Sequence, residues 1–176
     1  MSDKIDFQSL SFGMRRMGWV RFWAQSILGV VVTAVLLFSN VVNNNSENQV
    51  TLNLGLSITT ISLIFLIFSL WQSWLIVRTG RSLSSNARPS RGQTSKLIKR
   101  GLVNDLLGMV FGLIGYQAFM GELFIQASSQ ATGQLSTDKT TITGLEILSV
   151  LSNTQVIAAH FLGLCFSLWL LRRIYK

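Results

Sequence analysis

The stretch SVLSNTQVIAAHFLGLCFSLWLLRRIYK, residues 149–176, decides the fold. Residues 150–171 contain no acid and no basic residue other than His160, the sole histidine of the chain. At about 1.5 Å per residue, a helix of this length crosses the hydrocarbon core of a bilayer. The stretch therefore predicts a transmembrane helix. Its end is marked by three cationic residues, Arg172, Arg173 and Lys176.

The rest of the chain has the composition of a membrane protein. Hydrophobic residues make up 49% of the sequence and charged residues 12%, against about 25% charged residues in soluble domains. Three further apolar stretches occupy residues 19–42, 54–77 and 102–125. With residues 147–171, they predict an all-α polytopic membrane protein with four transmembrane helices in one domain.

Residues 1–18 precede the first predicted span. Apolar and polar residues alternate over the first part of this segment, and Arg15 and Arg16 follow. We predict an amphipathic N-terminal lead on the membrane surface, with a frayed terminus as the alternative. No cleavable secretory signal is expected, because the first apolar stretch is too long for one.

The basic residues predict the orientation of the spans. Of the fifteen Lys and Arg residues, all but Lys139 lie near the N-terminus, between the second and third spans, or at the C-terminus. With four spans, these three regions lie on one side of the membrane. The positive-inside rule then predicts both termini and the middle loop in the cytoplasm, or in the stroma of a plastid.

Residues 78–100 form the longest basic stretch and contain no acid. The net charge of +8 could indicate nucleic-acid binding. Because the cations lie between apolar spans, we instead predict a topology-setting loop that contacts anionic membrane lipid. An acidic partner protein is the alternative. The predicted contact residues are Arg78, Arg81, Arg88, Arg91, Lys96, Lys99 and Arg100.

The third span has a face of small residues. At 100° per residue, Gly101, Gly108, Gly112 and Gly115 fall on one side together with Asp105. Such small residues let helices approach closely. We predict a helix-packing seam here and expect it to contribute to a homo-oligomer or to a membrane complex. The predicted packing residues are Gly108, Gly112 and Gly115.

Polar residues inside the spans are the candidates for a transport path. Burial of an unpaired polar group in a membrane is costly, so these residues are expected to face protein or water. One interpretation is a path for a cation or proton, with an outer carboxylate attracting the ion. The alternative is a set of hydrogen bonds between helices. The candidates are Asn153, Gln155, His160, Glu122 and Asp105.

Asp105 and Glu122 are the only acids inside the predicted spans. Seventeen residues of helix separate them by about 25 Å, so the two carboxylates can mark only different levels of a path. Asp105 lies one turn from the basic end of its span. We therefore expect it to pair with Lys99 or Arg100.

The sequence gives no indication of an enzyme. It contains no cluster with metal-ligand spacing, no nucleophile–base motif and no phosphate-binding loop. Cys165 is the single cysteine, so no intrachain disulfide can form. We predict no enzymatic activity and no cofactor, and we assign no metal ligand.

Three segments carry a family resemblance: FGMRRMGWVRFW, LIKRGLVNDLLGMVFGLIGYQAF and SNTQVIAAHFLGLCFSLWLLRR. They resemble a family of four-span proteins of cyanobacteria and plastids, catalogued as a domain of unknown function. Its plant members are chloroplast inner-envelope proteins called permease in chloroplasts, also described as Tic-type translocon components. The motif from Asn153 through His160 to Gly163 is the most specific part. The absence of a transit peptide favours a bacterial member.

The resemblance implies two competing functions. One is iron uptake through a permease, with an iron ion as substrate, in the plasma membrane or the chloroplast inner envelope. The other is a non-transporting translocon or assembly subunit for protein transport. Intramembrane polar groups that face a water-accessible cavity would favour the permease. Polar groups sealed by hydrogen bonds between helices would favour the subunit.

Overall fold

The structure is a computed structural model that describes residues 7–43, 50–83, 89–131 and 144–175. The described residues form four long α-helices, each long and apolar enough to cross a membrane. The predicted all-α class with four transmembrane helices is thereby confirmed. The helices are α1 (Phe7–Asn43), α2 (Val50–Ser82), α3 (Arg91–Ala131) and α4 (Gly144–Tyr175).

Each helix is longer than the predicted span. The N-terminal lead is not separate, because α1 begins at Phe7 and continues without interruption into the membrane. Leu10 and Met14 on its first turns are buried against other helices, so these turns are anchored by packing. The basic stretch between the second and third spans is also largely helical, since α2 extends to Ser82 and α3 begins at Arg91.

The four helices run alternately up and down, and each contacts its neighbour in the chain. Gly18 of α1 lies against Val77 of α2, and Gly29 lies against Leu66, so these helices are antiparallel. α4 closes the bundle by packing on both α1 and α3, while α1 and α3 lie diagonally opposite. Phe7, the end of α2 at Ser82, the start of α3 at Arg91 and Tyr175 therefore share one end, here called the basic end.

Apolar clusters occupy the two ends of the bundle interior. The cluster at the basic end draws on all four helices, and the cluster at the opposite end, here the far end, draws on α1, α3 and α4. Between them, the interior is mainly polar. The basic-end cluster comprises Leu10, Met14, Ile76, Leu83, Ile98, Leu170 and Ile174. The far-end cluster comprises Val32, Leu36, Phe119 and Val156.

The glycine face of α3 points into the bundle. A Cβ added at Gly108 would meet the ring of His160, one at Gly112 would meet Ile157, and one at Gly115 would meet Thr59. The predicted helix-packing seam is therefore present, but α2 and α4 of the same chain occupy it. Because α2 and α4 of the same chain fill the seam, a homo-oligomer, which stays a prediction, would need another surface.

Candidate functional site

Buried polar side chains from all four helices form a column along the middle of the bundle, here called the polar column. On α3 it extends from Gly101 to Gly115, fourteen residues or about 21 Å. That height is most of a hydrocarbon core of about 30 Å. Its members are Arg21, Gln25, Thr59, Ser62, Ser69, Ser73, Asp105, Ser152, Asn153, His160 and Ser167.

An ion pair between Arg21 and Asp105 lies at the centre of the polar column. The Arg21 Nη2 atom donates to Asp105 Oδ2 at 2.8 Å, and the two side chains are 1% and 0% exposed. The expected partners Lys99 and Arg100 are exposed on the surface of α3. That prediction was wrong because Asp105 points into the bundle, where the long Arg21 side chain reaches it from the diagonal helix.

Arg21 connects three other helices. Its Nη1 donates to Ser167 Oγ at 2.9 Å, and its Nη2 also donates to Ser69 Oγ at 2.8 Å. The guanidinium lies inside the bundle because a carboxylate and two hydroxyls compensate for its lost hydration there.

Ser69 and Gln25 complete the surroundings of the carboxylate. The Ser69 hydroxyl donates to Asp105 Oδ1 at 2.6 Å and accepts from Gln25 Nε2 at 2.9 Å. Gln25 Nε2 also donates to the carbonyl of Ala159 at 3.1 Å. Each carboxylate oxygen therefore accepts a hydrogen bond from a different helix, and Asp105 is the common acceptor of the network.

His160 lies next to this carboxylate and has no exposed surface. Its Nδ1 is 3.3 Å from Asp105 Oδ1, and its Nε2 is 3.2 Å from the carbonyl oxygen of Ser62. The imidazole thus joins α4 to both α2 and α3. The Ser62 hydroxyl donates to the carbonyl of Gly108 at 2.7 Å, which connects α2 to α3 at the same level.

Two glycines create the space for these side chains. A Cβ at Gly108 would overlap the His160 ring, and a Cβ at Gly163 would overlap the Asp105 carboxyl group. With glycine at both positions, the polar side chains lie directly on the facing helix backbones. The family-like motif from Asn153 to Gly163 therefore supplies the His160 imidazole, which contacts Asp105, and Gly163, which leaves room for the Asp105 carboxyl group.

Asn153 lies about two turns from His160 toward the far end. It is fully buried beside Gly115. Neither its Nδ2 nor its Oδ1 has a hydrogen-bond partner, and the Oε1 of Gln155 also lacks one. Glu122 is half-buried beyond this level on α3. The predicted path residues therefore lie at successive levels of α3 and α4, and only Asp105 and His160 are in direct contact.

The basic-end cluster lies beyond the polar column, whereas the far-end cluster overlaps it, since Val156 lies between Asn153 and His160 on α4. Every member of the column is at most 1% exposed. In the part of the chain that the structure describes, no group of three or more His, Cys, Asp or Glu could hold a metal ion. The column consists instead of one buried ion pair, one imidazole, hydroxyls and amides. Such groups bind or relay protons and offer weak oxygen and nitrogen contacts to a passing cation.

A comparison with protein families identifies the chain. Residues 5–175 match the family described as "Protein of unknown function (DUF3611)". The chain belongs to the DUF3611 family. Among curated proteins it is similar to "Protein TIC 21, chloroplastic" of Arabidopsis thaliana, with 28% identity over 165 residues and 91% of this chain covered. The chain spans only 56% of the length of that relative. No solved structure matches it significantly.

These observations establish this DUF3611 protein as a four-span membrane protein related to TIC 21. The family match confirms the resemblance drawn from the three sequence segments. The polar column contains the most specific part of that resemblance, since Asn153, His160 and Gly163 all face the bundle interior.

The predicted lipid-contact residues of this DUF3611 protein lie at the basic end, except that Arg88 is outside the described residues. The guanidinium of Arg78 lies 5.7 Å from the centre of the Trp74 ring, and the ammonium of Lys99 lies 5.7 Å from that of Tyr175. Arg91 donates through Nε to the carbonyl of Ile174 at 3.0 Å. A cavity of about 480 Å³ is lined by Gln72, Lys96, Lys99, Arg100, Val103, Asn104 and Leu107.

The sequence analysis missed several members of the polar column. Arg21 and Gln25 are four residues apart and so share one face of α1. Ser62, Ser69 and Ser73 fall on one face of α2 with near-helical spacing. This periodicity could have indicated that both faces are polar and buried, but serine is common in apolar helices and gives a weak signal by itself.

The side-chain amide of Asn153 allows a direct test of what an unpartnered polar group in the polar column costs in stability. We expect Asn153→Leu to raise the free energy of unfolding by about 1–2 kcal/mol, because it removes two unpartnered polar atoms with little change in size. SDS-induced unfolding in mixed micelles measures the change, and Thr154→Leu, at the adjacent exposed position, is the control. A lower stability in Asn153→Leu would mean that the amide has a partner and would contradict this expectation.

Proposed function

We propose that this protein is a small permease for iron or another divalent cation, with the polar column as its path. The observation that carries the proposal is the continuity of buried polar groups over about 21 Å of α3. Buried ionisable residues in membrane helices are costly and commonly mark ion or proton pathways. The divalent cation itself is taken from the family resemblance.

The structure corresponds to a closed state in this proposal. The members of the polar column are at most 1% exposed, so transport requires α4 or α1 to move at each end in turn. Glu122, at the far end of α3, attracts the cation, and the unpartnered amide oxygens of Asn153 and Gln155 contact it next. In the proposed orientation, the basic end faces the cytoplasm, or the stroma in a plastid, as the positive-inside rule requires.

A second function is favoured by a specific observation. His160 and Asp105 are sealed by hydrogen bonds between helices, and Arg21 places a positive charge in the column. Both features favour a non-transporting translocon or assembly subunit, as expected above for polar groups sealed between helices, whereas the unpartnered amide atoms of Asn153 and Gln155 favour the permease. In that case, the cationic surface at the basic end binds anionic lipid or an acidic partner, and the polar column only fixes the helix arrangement.

Uptake of iron(II) into proteoliposomes that contain only this protein tests the permease. We expect uptake above that of empty liposomes, with a loss toward the empty-liposome level in His160→Ala and a smaller loss in Glu122→Gln. Thr154→Ala is the matched control, because Thr154 lies on α4 but is exposed, and it should keep wild-type uptake.

The same preparation distinguishes the alternative. If folded protein in both orientations gives no uptake, the self-sufficient permease is excluded. A photo-crosslinker placed at Val103, an exposed residue that lines the same cavity as Lys96 and Arg100, would then be used in intact membranes. Crosslinking to one defined membrane protein, lost when Lys96 and Arg100 are both changed to Gln, would support the subunit.

A further inference from the structure

His160 has an oxygen acceptor opposite each of its ring nitrogens. We propose that His160 and Asp105 form a proton-binding site in which uptake of one proton closes both contacts of the imidazole. The proposal deepens the proposed permease, for which it supplies a coupling ion. It rests on the distances of 3.3 Å from Nδ1 to Asp105 Oδ1 and 3.2 Å from Nε2 to the Ser62 carbonyl oxygen.

The hydrogen-bond count requires this proton. A backbone carbonyl can only accept, so the contact with Ser62 requires a proton on Nε2. A neutral imidazole then has a lone pair on Nδ1, which would face the Asp105 carboxylate without a proton between them. One additional proton removes this conflict by forming an N–H bond at Nδ1. The proton comes from water and no other bond is made or broken.

The neighbours of Asp105 place that proton on the imidazole. Arg21 donates to Oδ2 and the Ser69 hydroxyl donates to Oδ1, so both carboxylate oxygens already act as acceptors. The groups facing the pair are Arg21 and Gln25 from α1, Ser69 and the Ser62 carbonyl from α2, and the Gly108 backbone from α3. Arg21 is the only one of them with a charge. The closed site is therefore an imidazolium beside a carboxylate.

In the protonated site, the buried net charge is unfavourable, whereas the two hydrogen bonds of the imidazole are favourable. With the proton bound, Arg21, Asp105 and His160 together carry a charge of +1, and without it they are neutral. A buried net charge is costly in a membrane interior, whereas the protonated form satisfies both ring nitrogens. Because these two terms oppose each other, the proton is exchangeable rather than permanent.

Loss of the proton changes how α4 is held. The neutral imidazole can keep its bond to the Ser62 carbonyl or its bond to Asp105, but only one of them donates. Either the hydrogen bond from α4 to α2 or the hydrogen bond from α4 to α3 is then lost. Proton binding at His160 thus controls whether α4 is fastened to both neighbours.

The single histidine makes the test specific. Protein labelled with ¹⁵N-histidine and reconstituted in lipid bilayers gives ring-nitrogen signals from His160 alone. Spectra recorded from about pH 5 to about pH 8, where imidazoles commonly change charge, should contain two protonated nitrogens in the proton-bound form and only the Nε2 proton in the other form. In the double variant Arg21→Met, Asp105→Leu, the acceptor for Nδ1 is absent and His160 should remain the neutral Nε2–H tautomer throughout.

Thr154→Ala, at an exposed position on the same helix as His160, is the matched control and should leave the His160 signals unchanged. If His160 of the wild-type protein is a single neutral tautomer at about pH 5, the proposal that it binds a proton is wrong. If both ring nitrogens stay protonated through about pH 8, the proposal that the proton is exchangeable is wrong. The readout needs no iron flux. An exchanging His160 without uptake would refute the permease alone, whereas uptake with a permanently neutral His160 would refute this inference alone.

Discussion

Arg21→Met is expected to lower the free energy of unfolding by about 3–5 kcal/mol, which is the effect of removing one partner from a buried ion pair. The substitution keeps most of the side-chain length but leaves the Asp105 carboxylate without its cation. It also removes the donors to Ser69 and Ser167. SDS-induced unfolding in mixed micelles, followed by helix content, measures the loss.

The control for this prediction is Arg16→Met. Arg16 lies on the same helix but is exposed, so its loss should change stability by less than about 0.5 kcal/mol. The double variant Arg21→Met, Asp105→Leu should recover most of the stability, because replacing both partners leaves no uncompensated charge. If Arg21→Met is as stable as Arg16→Met, the ion pair does not hold the bundle together.

Gly108→Ala is expected to destabilise the protein by about 3 kcal/mol, at the upper end of the cost of overpacking a filled interior. The added Cβ would overlap three atoms of the His160 ring. The ring cannot move away without breaking its contacts with Asp105 and Ser62. The measurement is again SDS-induced unfolding, and ¹⁵N signals of His160 should shift in the same variant.

Gly121→Ala is the matched control for Gly108→Ala. Gly121 lies on the same helix with no atom within 4 Å of an added Cβ, and alanine has the higher helix propensity by about 1 kcal/mol. We therefore expect no loss and a small gain in stability. Equal effects of the two substitutions would show that the cost at Gly108 comes from the backbone and not from contact with His160.

The fold could be predicted from the sequence because membrane spans are read from length and apolar composition. The four spans, the inward glycine face of α3 and the shared face of Asn153 and His160 all follow from local periodicity. The ends of the helices were predicted too short. Polar turns such as those around Arg91 stay helical when they pack at the membrane surface, and hydropathy does not report this.

The partners in the polar column could not be predicted in the same way. Lys99 and Arg100 are close to Asp105 in sequence, and they were therefore predicted as its partners. The actual partner, Arg21, comes from the diagonal helix, eighty-four residues away. Which of two cations a carboxylate meets depends on the rotation of each helix about its axis, and a single sequence does not determine that rotation for four helices at once.

The ion pair between Arg21 and Asp105 also has a consequence for biogenesis. The first hydrophobic segment carries an arginine, and its carboxylate partner is on the third segment. An arginine at the centre of a single inserted helix costs about 2.5–3.5 kcal/mol on insertion scales. During synthesis, the first two segments therefore form an incomplete hairpin with an uncompensated cation until the third segment enters. We therefore expect the first hairpin to be completed only when the third segment enters.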